Sequence, residues 1–577
     1  MATNEFTGKR SEMNPAFWEA FAEVENRPSW VLQSPFGGNY ELELKDEPLG
    51  PMTVFELAMY ELSWSLRSKP EWQHKAADSE ILRKWRQEAL DQQTTAAAAS
   101  GVLSLEVRLT EKMIDYVLAE LDGYAKIVDN ERGIERACFE AIWYSDRLIP
   151  NDLLQRLKSS AKALEEVPED RQDWQPNGQG LDLVHPSLYC VVYGRTHAYL
   201  PGKPRITANF LPVQPPRPDS IWTSEKFAWL PSDFAIDSSG SVKLVSPYIN
   251  NLHPVLYQPL YRVIEEVLTA FVPMFERVIG DSNRENGRVP YANDHRLGEV
   301  SCIWGDPGGT PYPEDDPGSD EDEEEFNERY RASIPKILPE AKDYGGELEA
   351  RFRPVSLRGR TIQCIIKLAN IYLTPEQPKY NGGNWLLAGT ANERIVASGI
   401  YYYDEENSRN LNFRSVLPLG SYPVMRKMTM TRQPVPSDDP LVQDIGSVAT
   451  KSGRALFWPN LFQHCVSPFK LADPSKPGYR KSIAVFLVDP TKDPIVSATD
   501  VPPQQAEWAG EALEEACADP ASLLGALPQE LRDLVKDQFP QTVMTREEAE
   551  AYRLDYNGDP HRGVCSNVQY EIQCVEV

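Results

Sequence analysis

The sequence lacks the long apolar runs that mark membrane proteins. In its 577 residues, no apolar stretch approaches the roughly 18–20 residues that a bilayer-spanning helix needs. The amino-terminal residues also lack the basic and apolar regions of a signal peptide. We therefore expect a soluble cytoplasmic protein that does not associate with membranes.

Paired cysteines are absent as well. The eight cysteines are spread along the chain, and no two form the Cys-x-x-Cys spacing of a zinc or redox motif. Such scattered cysteines are typical of reduced thiols in an intracellular protein. The last four residues resemble a prenylation box, but Glu576 stands where that signal has an aliphatic residue. We expect neither disulfide bonds nor a lipid anchor.

Basic residues are fewer than acidic residues. The chain has 59 Lys and Arg against 86 Asp and Glu, for a net charge of −27. Such a chain repels phosphate backbones, which argues against nucleic-acid binding as its main role. Nine of the twelve residues from 314 to 325 are acidic. Their spacing does not fit a calcium-binding loop, so we interpret this segment as a mobile surface insertion.

Common catalytic motifs are also missing. The sequence contains no Gly-rich phosphate loop, no Gly-x-Ser-x-Gly elbow and no His-x-Asp or His-x-Glu pair. Its seven histidines therefore cannot form a metal-binding facial triad with neighbouring residues. Composition and local motifs alone therefore do not identify a reaction.

The residues that are present predict a large fold with both helices and strands. Hydrophobic residues make up 41% of the chain, and this length is typical of more than one domain. Residues from about 52 to 170 follow a helical period, for example along 153–164. β-Branched and aromatic runs follow the acidic segment, at 361–373, 395–403, 454–458 and 482–488. The pattern predicts an α+β protein, with a mainly helical first half followed by an antiparallel sandwich or barrel.

Several short motifs occur in a fixed order between about residues 50 and 505. They lie at 182–189, 193–196, 248–254, 356–361, 367–375, 382–385, 392–393, 401–404, 463–464, 477–481 and 486–490. Together they resemble a large fungal family that is known only as a domain of unknown function. The order of so many linked motifs makes this resemblance more specific than any single motif.

The β-rich half of that family resembles the double-stranded β-helix, or jelly roll, of iron(II)/2-oxoglutarate-dependent oxygenases. Its members carry Gly-Gly-Ser-Trp-His-Val-Glu-Gly, whose His and Glu would be two iron ligands, followed by a distal His and an Arg for the co-substrate carboxylate. In this sequence Leu386 stands in place of that His and Ala388 in place of that Glu. His464 and Arg480 remain at the other two positions.

The sequence pattern and the resemblance together predict four parts. We expect a mainly helical domain at residues 1–285, an irregular segment with the acidic insertion at 286–345, an oxygenase-like β-helix domain at 346–500, and C-terminal helices with a tail at 501–577.

One imidazole does not hold iron(II), because affinity at such sites comes from several ligands acting together. We therefore interpret the protein as a metal-independent pocket protein, or as a pseudo-enzyme partner of an active relative, with a role in secondary metabolism. Its expected pocket consists of Trp385, Leu386, Ala388, His464 and Arg480, and suits a small organic ligand with an acidic or carbonyl group. His464 is more simply a hydrogen-bonded pocket histidine, and the partner of Arg480 is either a bound acid or a protein group.

Two alternatives stay open. One is an active iron(II)/2-oxoglutarate-dependent oxygenase with ligands from elsewhere, such as His185 or His253; Glu393 would face outward in a continuous strand. The other is a redox-neutral enzyme in which His464 is the general base and Arg480 polarises a carbonyl group. We expect no cofactor except iron and 2-oxoglutarate under the first alternative. A protein partner and a homo-oligomer are both compatible with the sequence.

Overall fold

The protein is described here from a computed structural model. This structure describes residues 28–32, 34–36, 52, 54–92, 108–217, 222–283, 296–297, 340–406, 411–416, 442–538 and 542–559. The acidic segment at 314–325 lies outside the described residues, so its interpretation as a mobile insertion stays a prediction.

Within these residues there are ten α-helices. They are α1 (Val54–Arg67), α2 (Trp72–Ala76), α3 (Ser79–Gln92), α4 (Glu111–Ile127), α5 (Asn151–Glu165), α6 (Gln258–Ser282), α7 (Glu347–Arg351), α8 (Ala506–Ala518), α9 (Gln529–Gln538) and α10 (Arg546–Asn557). The apolar stripe of α5, from Leu153 to Leu164, is buried as its helical spacing predicts. None of the helices in the described part of the chain is long and apolar enough to cross a membrane.

The same residues contain nineteen β-strands. They are β1 (Ile134–Arg136), β2 (Trp143–Ser145), β3 (Asp173–Trp174), β4 (Gly180–Val184), β5 (Val191–Val192), β6 (His197–Tyr199), β7 (Phe210–Pro212), β8 (Phe227–Ala228), β9 (Ser232–Ile236), β10 (Val242–Leu244), β11 (Thr361–Leu373), β12 (Lys379–Tyr380), β13 (Ile395–Glu406), β14 (Leu411–Val416), β15 (Val442–Val448), β16 (Ala455–Pro459), β17 (Phe462–Val466), β18 (Phe469–Lys470) and β19 (Gly478–Val488).

A ten-stranded antiparallel sheet is the largest element of the fold. Its order is β1-β2-β16-β13-β19-β11-β4-β3, and β9 also pairs with β11 and with β10. The expected α+β class is confirmed, with helices in the N-terminal region and antiparallel sheets in the C-terminal half. The first half nevertheless contributes six of the ten strands of this sheet. The sheet therefore spans the boundary drawn at residue 285, and the four-part division stays a prediction.

Alternate residues of β11 face opposite sides of the large sheet. On one side, Ile366 belongs to the main hydrophobic core with α6, where the rings of Phe271 and Phe457 meet edge-on at 4.8 Å. On the other side, Ile365 packs in a separate cluster with Phe486 of β19. We call this second side the inner face.

A three-stranded sheet of order β15-β14-β17 covers part of the inner face. The ring of Trp458, on β16, lies 5.4 Å from that of Phe413, on β14, and 4.7 Å from that of His464, on β17. The two sheets therefore pack against each other through aromatic side chains, and the residues that face each other between them are the candidates for a site.

A half-buried carboxyl group after β19 gives a pH prediction. Burial raises the pKa of Asp500 to about 6, and the nearby charge of Asp233 also raises this pKa. Because the pKa of Asp500 is higher in the folded state than in the unfolded state, the protonated side chain stabilises the fold below about pH 4. This stability is lost as the pH rises through about 6. Asp500→Asn should remove this loss, so the variant should be more stable than the parent at pH 7.5 by about 2 kcal/mol. Thermal unfolding between pH 4.5 and 7.5 measures the effect, and an unchanged pH dependence would contradict it.

Candidate functional site

The structure pairs Leu386 directly with His464. The two residues form an antiparallel bridge in which Leu386 N donates to His464 O over 2.9 Å and His464 N donates to Leu386 O over 3.0 Å. Residues that exchange both hydrogen bonds have Cα atoms about 5.5 Å apart and side chains on the same face. Two positions that lie far apart in the sequence therefore meet between the sheets.

The imidazole of His464 is held in an apolar environment. Its ring contacts Trp458, and its Nδ1 atom is buried without a hydrogen-bond partner among the described residues. Burial lowers the pKa of His464 to about 4, although a hydrogen bond with the backbone of Phe462 opposes this shift. The ring is therefore neutral at physiological pH, and Nδ1 is a polar atom that still needs a partner.

Ala388 extends the apolar surface beside Leu386. It is only 4% exposed and packs in the inner-face cluster with Ile365 and Phe486. Asn460 fixes its backbone, because Ala388 N donates to Asn460 Oδ1 over 2.9 Å and Asn460 Nδ2 donates to Ala388 O over 3.0 Å. Trp385, immediately before Leu386, is half-buried. The segment 385–388 thus contributes side chains without metal-binding atoms.

Arg480 lies on β19 and already has partners from the protein. Its side chain is 3% exposed and donates from Nη2 to Thr450 Oγ1. Its Nε atom lies 3.9 Å from Glu405 Oε2, and its guanidinium group lies 4.8 Å from the ring centre of Tyr402. The sequence left open whether the partner of Arg480 is a bound acid or a protein group. The structure places a protein carboxylate, that of Glu405, beside it.

The side chains considered as replacement ligands have other roles. Glu393 is fully buried and accepts hydrogen bonds from Trp229 N, Tyr556 Oη and two atoms of Thr390. The expectation that it faces outward is wrong, because a short 3₁₀ helix at Ala391–Glu393 interrupts the chain before β13 begins. His253 Nδ1 accepts hydrogen bonds from two backbone N–H groups. In the part of the chain that the structure describes, no three His, Cys, Asp or Glu side chains are placed to hold one metal ion.

A further ion pair on the inner face was not predicted as part of the site. Lys367, on β11, pairs across the sheet with Ala484, and its Nζ lies 3.6 Å from Oδ1 of Asp182, on β4. Gln175 Nε2 donates to Asp182 Oδ2 over 3.2 Å, and His185 Nε2 lies 3.9 Å from the same oxygen. Burial acts to raise the pKa of Asp182, but the charges of Lys367 and His185 lower it below its usual value. Asp182 is therefore ionised at neutral pH.

The sequence held a signal for this pair, because Asp182 and Lys367 both begin motifs of the family resemblance. Sequence spacing could not show that they meet, since their contact depends on the pairing of β4 with β11.

The family described as "Protein of unknown function (DUF4246)" matches residues 111–512, and the "Domain of unknown function DUF4246, N-terminal" matches residues 22–88. The chain belongs to the DUF4246 family. This confirms the family resemblance that the ordered motifs indicate. The larger match includes every residue of the candidate site.

Two further comparisons add little for this DUF4246 protein. No curated protein matches the sequence. A solved structure described as "Selenomethionine labeled Fe(II)/(alpha)ketoglutarate-dependent dioxygenase TqaL" is 8% identical, with 57% of this chain and 74% of that chain covered. The TM-score of 0.20 is too low for that likeness to carry an argument.

The inner face of this DUF4246 protein therefore combines three kinds of group. Leu386 and Ala388 supply apolar surface, His464 supplies a neutral imidazole, and Lys367 and Arg480 are cations that each lie within 4 Å of a carboxylate. Such a surface can bind an organic molecule through apolar contact and a small number of hydrogen bonds.

Proposed function

We propose that this DUF4246 protein binds a small organic molecule without a metal ion, on a double-stranded β-helix that has lost the iron-binding pair. The observation that carries the proposal is the direct pairing of Leu386 with His464. This pairing supports the alignment in which Leu386 replaces a histidine ligand.

The order of the strands supports the double-stranded β-helix. Along the chain, β11, β13, β16 and β19 belong to the large sheet, whereas β14, β15 and β17 form the small sheet. The segment at Leu386 joins the edge of the small sheet through its bridge to β17. The chain thus crosses repeatedly between two facing antiparallel sheets, which is the pattern of a jelly roll.

The donor groups at the site do not fit iron(II). Three ligands on one side of the metal are needed to leave open positions for a co-substrate and oxygen. His464 is the one ligating side chain at the three positions of the family motif, since Leu386 and Ala388 have no donor atoms. Arg480, at the position for a co-substrate carboxylate, has Glu405 and Thr450 beside it. No catalytic step through a metal follows from these residues.

His464 suits binding better than general base catalysis. A base with a pKa of about 4 takes up a proton only weakly at neutral pH. Its buried Nδ1 can instead form a hydrogen bond with a ligand, which would remove the cost of about 1–3 kcal/mol for a buried polar atom without a partner. The expected contribution of His464 is therefore affinity and orientation.

The proposal is tested by metal content and turnover. Protein purified without a tag from iron-supplemented cells should contain far less than one iron per chain and should not consume 2-oxoglutarate. Stoichiometric iron together with 2-oxoglutarate turnover would contradict the proposal.

The role of His464 is tested by His464→Ala. With naphthalenedimethanol, a neutral aromatic probe that carries two hydroxyl groups, this variant should bind about tenfold more weakly than the parent, because one buried hydrogen bond is lost. His197→Ala is the matched control, since His197 is a half-buried histidine on β6 whose Nδ1 is hydrogen-bonded to a backbone carbonyl. Fluorescence titration measures both, and equal affinities of parent and His464→Ala would contradict a ligand contact at His464.

A further inference from the structure

The charges on the inner face are balanced in pairs. The strands β11 and β19 each place one cation on this face, Lys367 and Arg480. Lys367 Nζ lies 3.6 Å from Asp182, and Arg480 Nε lies 3.9 Å from Glu405. Both carboxylates are deeply buried, with side chains that are 5% and 4% exposed. Each pair is close to neutral as a whole.

This balance disfavours an anionic ligand. A carboxylate that entered beside Lys367 would also lie beside the ionised Asp182, and one beside Arg480 would lie beside Glu405. Moving an anion out of water costs free energy unless a cation neutralises its charge. Here the carboxylates of Asp182 and Glu405 already neutralise the two cations. A neutral ligand does not carry this cost.

The Asp182–Lys367 pair has the geometry to bind a neutral group. Its 3.6 Å separation is too long for a hydrogen bond, and Asp182 Oδ1 is buried without a hydrogen-bond partner among the described residues. The side chain of Lys367 is 28% exposed, so its ammonium group can be reached. A hydroxyl group can donate one hydrogen bond and accept another. One hydroxyl can therefore accept from Lys367 Nζ and donate to Asp182 Oδ1 at the same time.

We propose that the ligand of this protein is an uncharged alcohol with an apolar body, and that its hydroxyl group bridges Lys367 and Asp182. This inference rests on the proposed binding function and names its ligand class. It departs from the acidic or carbonyl group that the sequence suggested for the ligand, because the cations facing the ligand have protein carboxylates beside them.

The inference is tested with a matched pair of probes, naphthylmethanol and naphthoate, which share an aromatic body and differ in the charge of the polar group. The full-length protein should bind naphthylmethanol at least about tenfold more tightly than naphthoate in fluorescence titrations at neutral pH. Lys367→Met should weaken naphthylmethanol binding by about tenfold, because the hydroxyl loses its donor.

Asp182→Asn gives the decisive comparison. It leaves Lys367 without a compensating charge, so the preference should shift toward naphthoate by at least about tenfold. Asp152→Asn, the same change at a side chain of α5 that is 78% exposed, should leave both affinities unchanged. If Asp182→Asn does not fold, Glu405→Gln tests the same effect at Arg480 and should also favour naphthoate.

The outcomes separate this inference from the proposed function. Tighter binding of naphthoate by the parent would overturn the inference while leaving a metal-independent binding protein. A preference for naphthylmethanol that neither Asp182→Asn nor Glu405→Gln reduces would also overturn it, because charge pairing would not be the cause. Binding of neither probe would contradict the proposed function, and the inference with it.

Discussion

Leu386→His together with Ala388→Glu should create an iron(II) site in this protein. The first change places a second imidazole opposite His464, and the second adds a carboxylate two residues away, where Ala388 lies at a bend against the inner-face cluster. Because three ligands act together, affinity for iron(II) should rise at least about 100-fold over the parent. Without metal, the carboxylate introduced at position 388 would lie in the apolar cluster of Ile365 and Phe486, so the apo variant should be several kcal/mol less stable than the parent.

Anaerobic titration with iron(II) or manganese(II) measures this gain, and thermal unfolding with and without metal gives a second readout. Metal at about a hundred times its Kd should restore about 2.7 kcal/mol of stability. Leu386→His alone should achieve little, and His464→Ala in the double variant should abolish the gain. A double variant that is folded and takes up no metal would show that residues 386 and 388 do not occupy the ligand positions.

The long elements of the fold could be predicted from the sequence. The strands β11, β13, β16 and β19 overlap the four β-branched and aromatic runs, and α5 follows its apolar stripe. The strands β1 to β4 and β9 could not be found in this way, because they are two to five residues long and show no period that separates them from loops. They are strands because neighbouring strands of the large sheet pair with them.

The partner of Arg480 shows why the site could be predicted only in part. Strict alternation along β13 would place Asp404 on the same face as Tyr402. The register of β13 against β19 shifts between these two residues, so that Glu405 instead pairs with Arg480. A sequence pattern cannot show such a bulge, and the balance of charge on the inner face depends on it. The meeting of Leu386 and His464, in contrast, was implied by the family resemblance.

A second large effect is expected at a buried ionic cluster beside the large sheet. Glu140 accepts hydrogen bonds from Arg136 Nη1 at 2.7 Å, from Tyr60 Oη at 2.9 Å and from Arg351 Nη2. Arg136 also binds Asp281 through two contacts of 2.9 and 2.8 Å. The cluster joins α1, β1, α6 and α7, and therefore holds the helical half against the edge of the sheet.

Glu140→Gln should lower the free energy of unfolding by about 3–5 kcal/mol, because the buried guanidinium group of Arg136 and the half-buried one of Arg351 would then share one carboxylate. The amide introduced at position 140 would also direct its N–H groups at one of three donors, whereas the carboxylate accepts from all of them. Glu80→Gln is the matched control, since Glu80 pairs with Arg83 on the surface of α3 with both side chains more than half exposed, and its loss should be below about 1 kcal/mol. Urea unfolding measures both variants. Equal losses would mean that the cluster positions the helices without stabilising them, because the desolvation of its charges would then cancel their attraction.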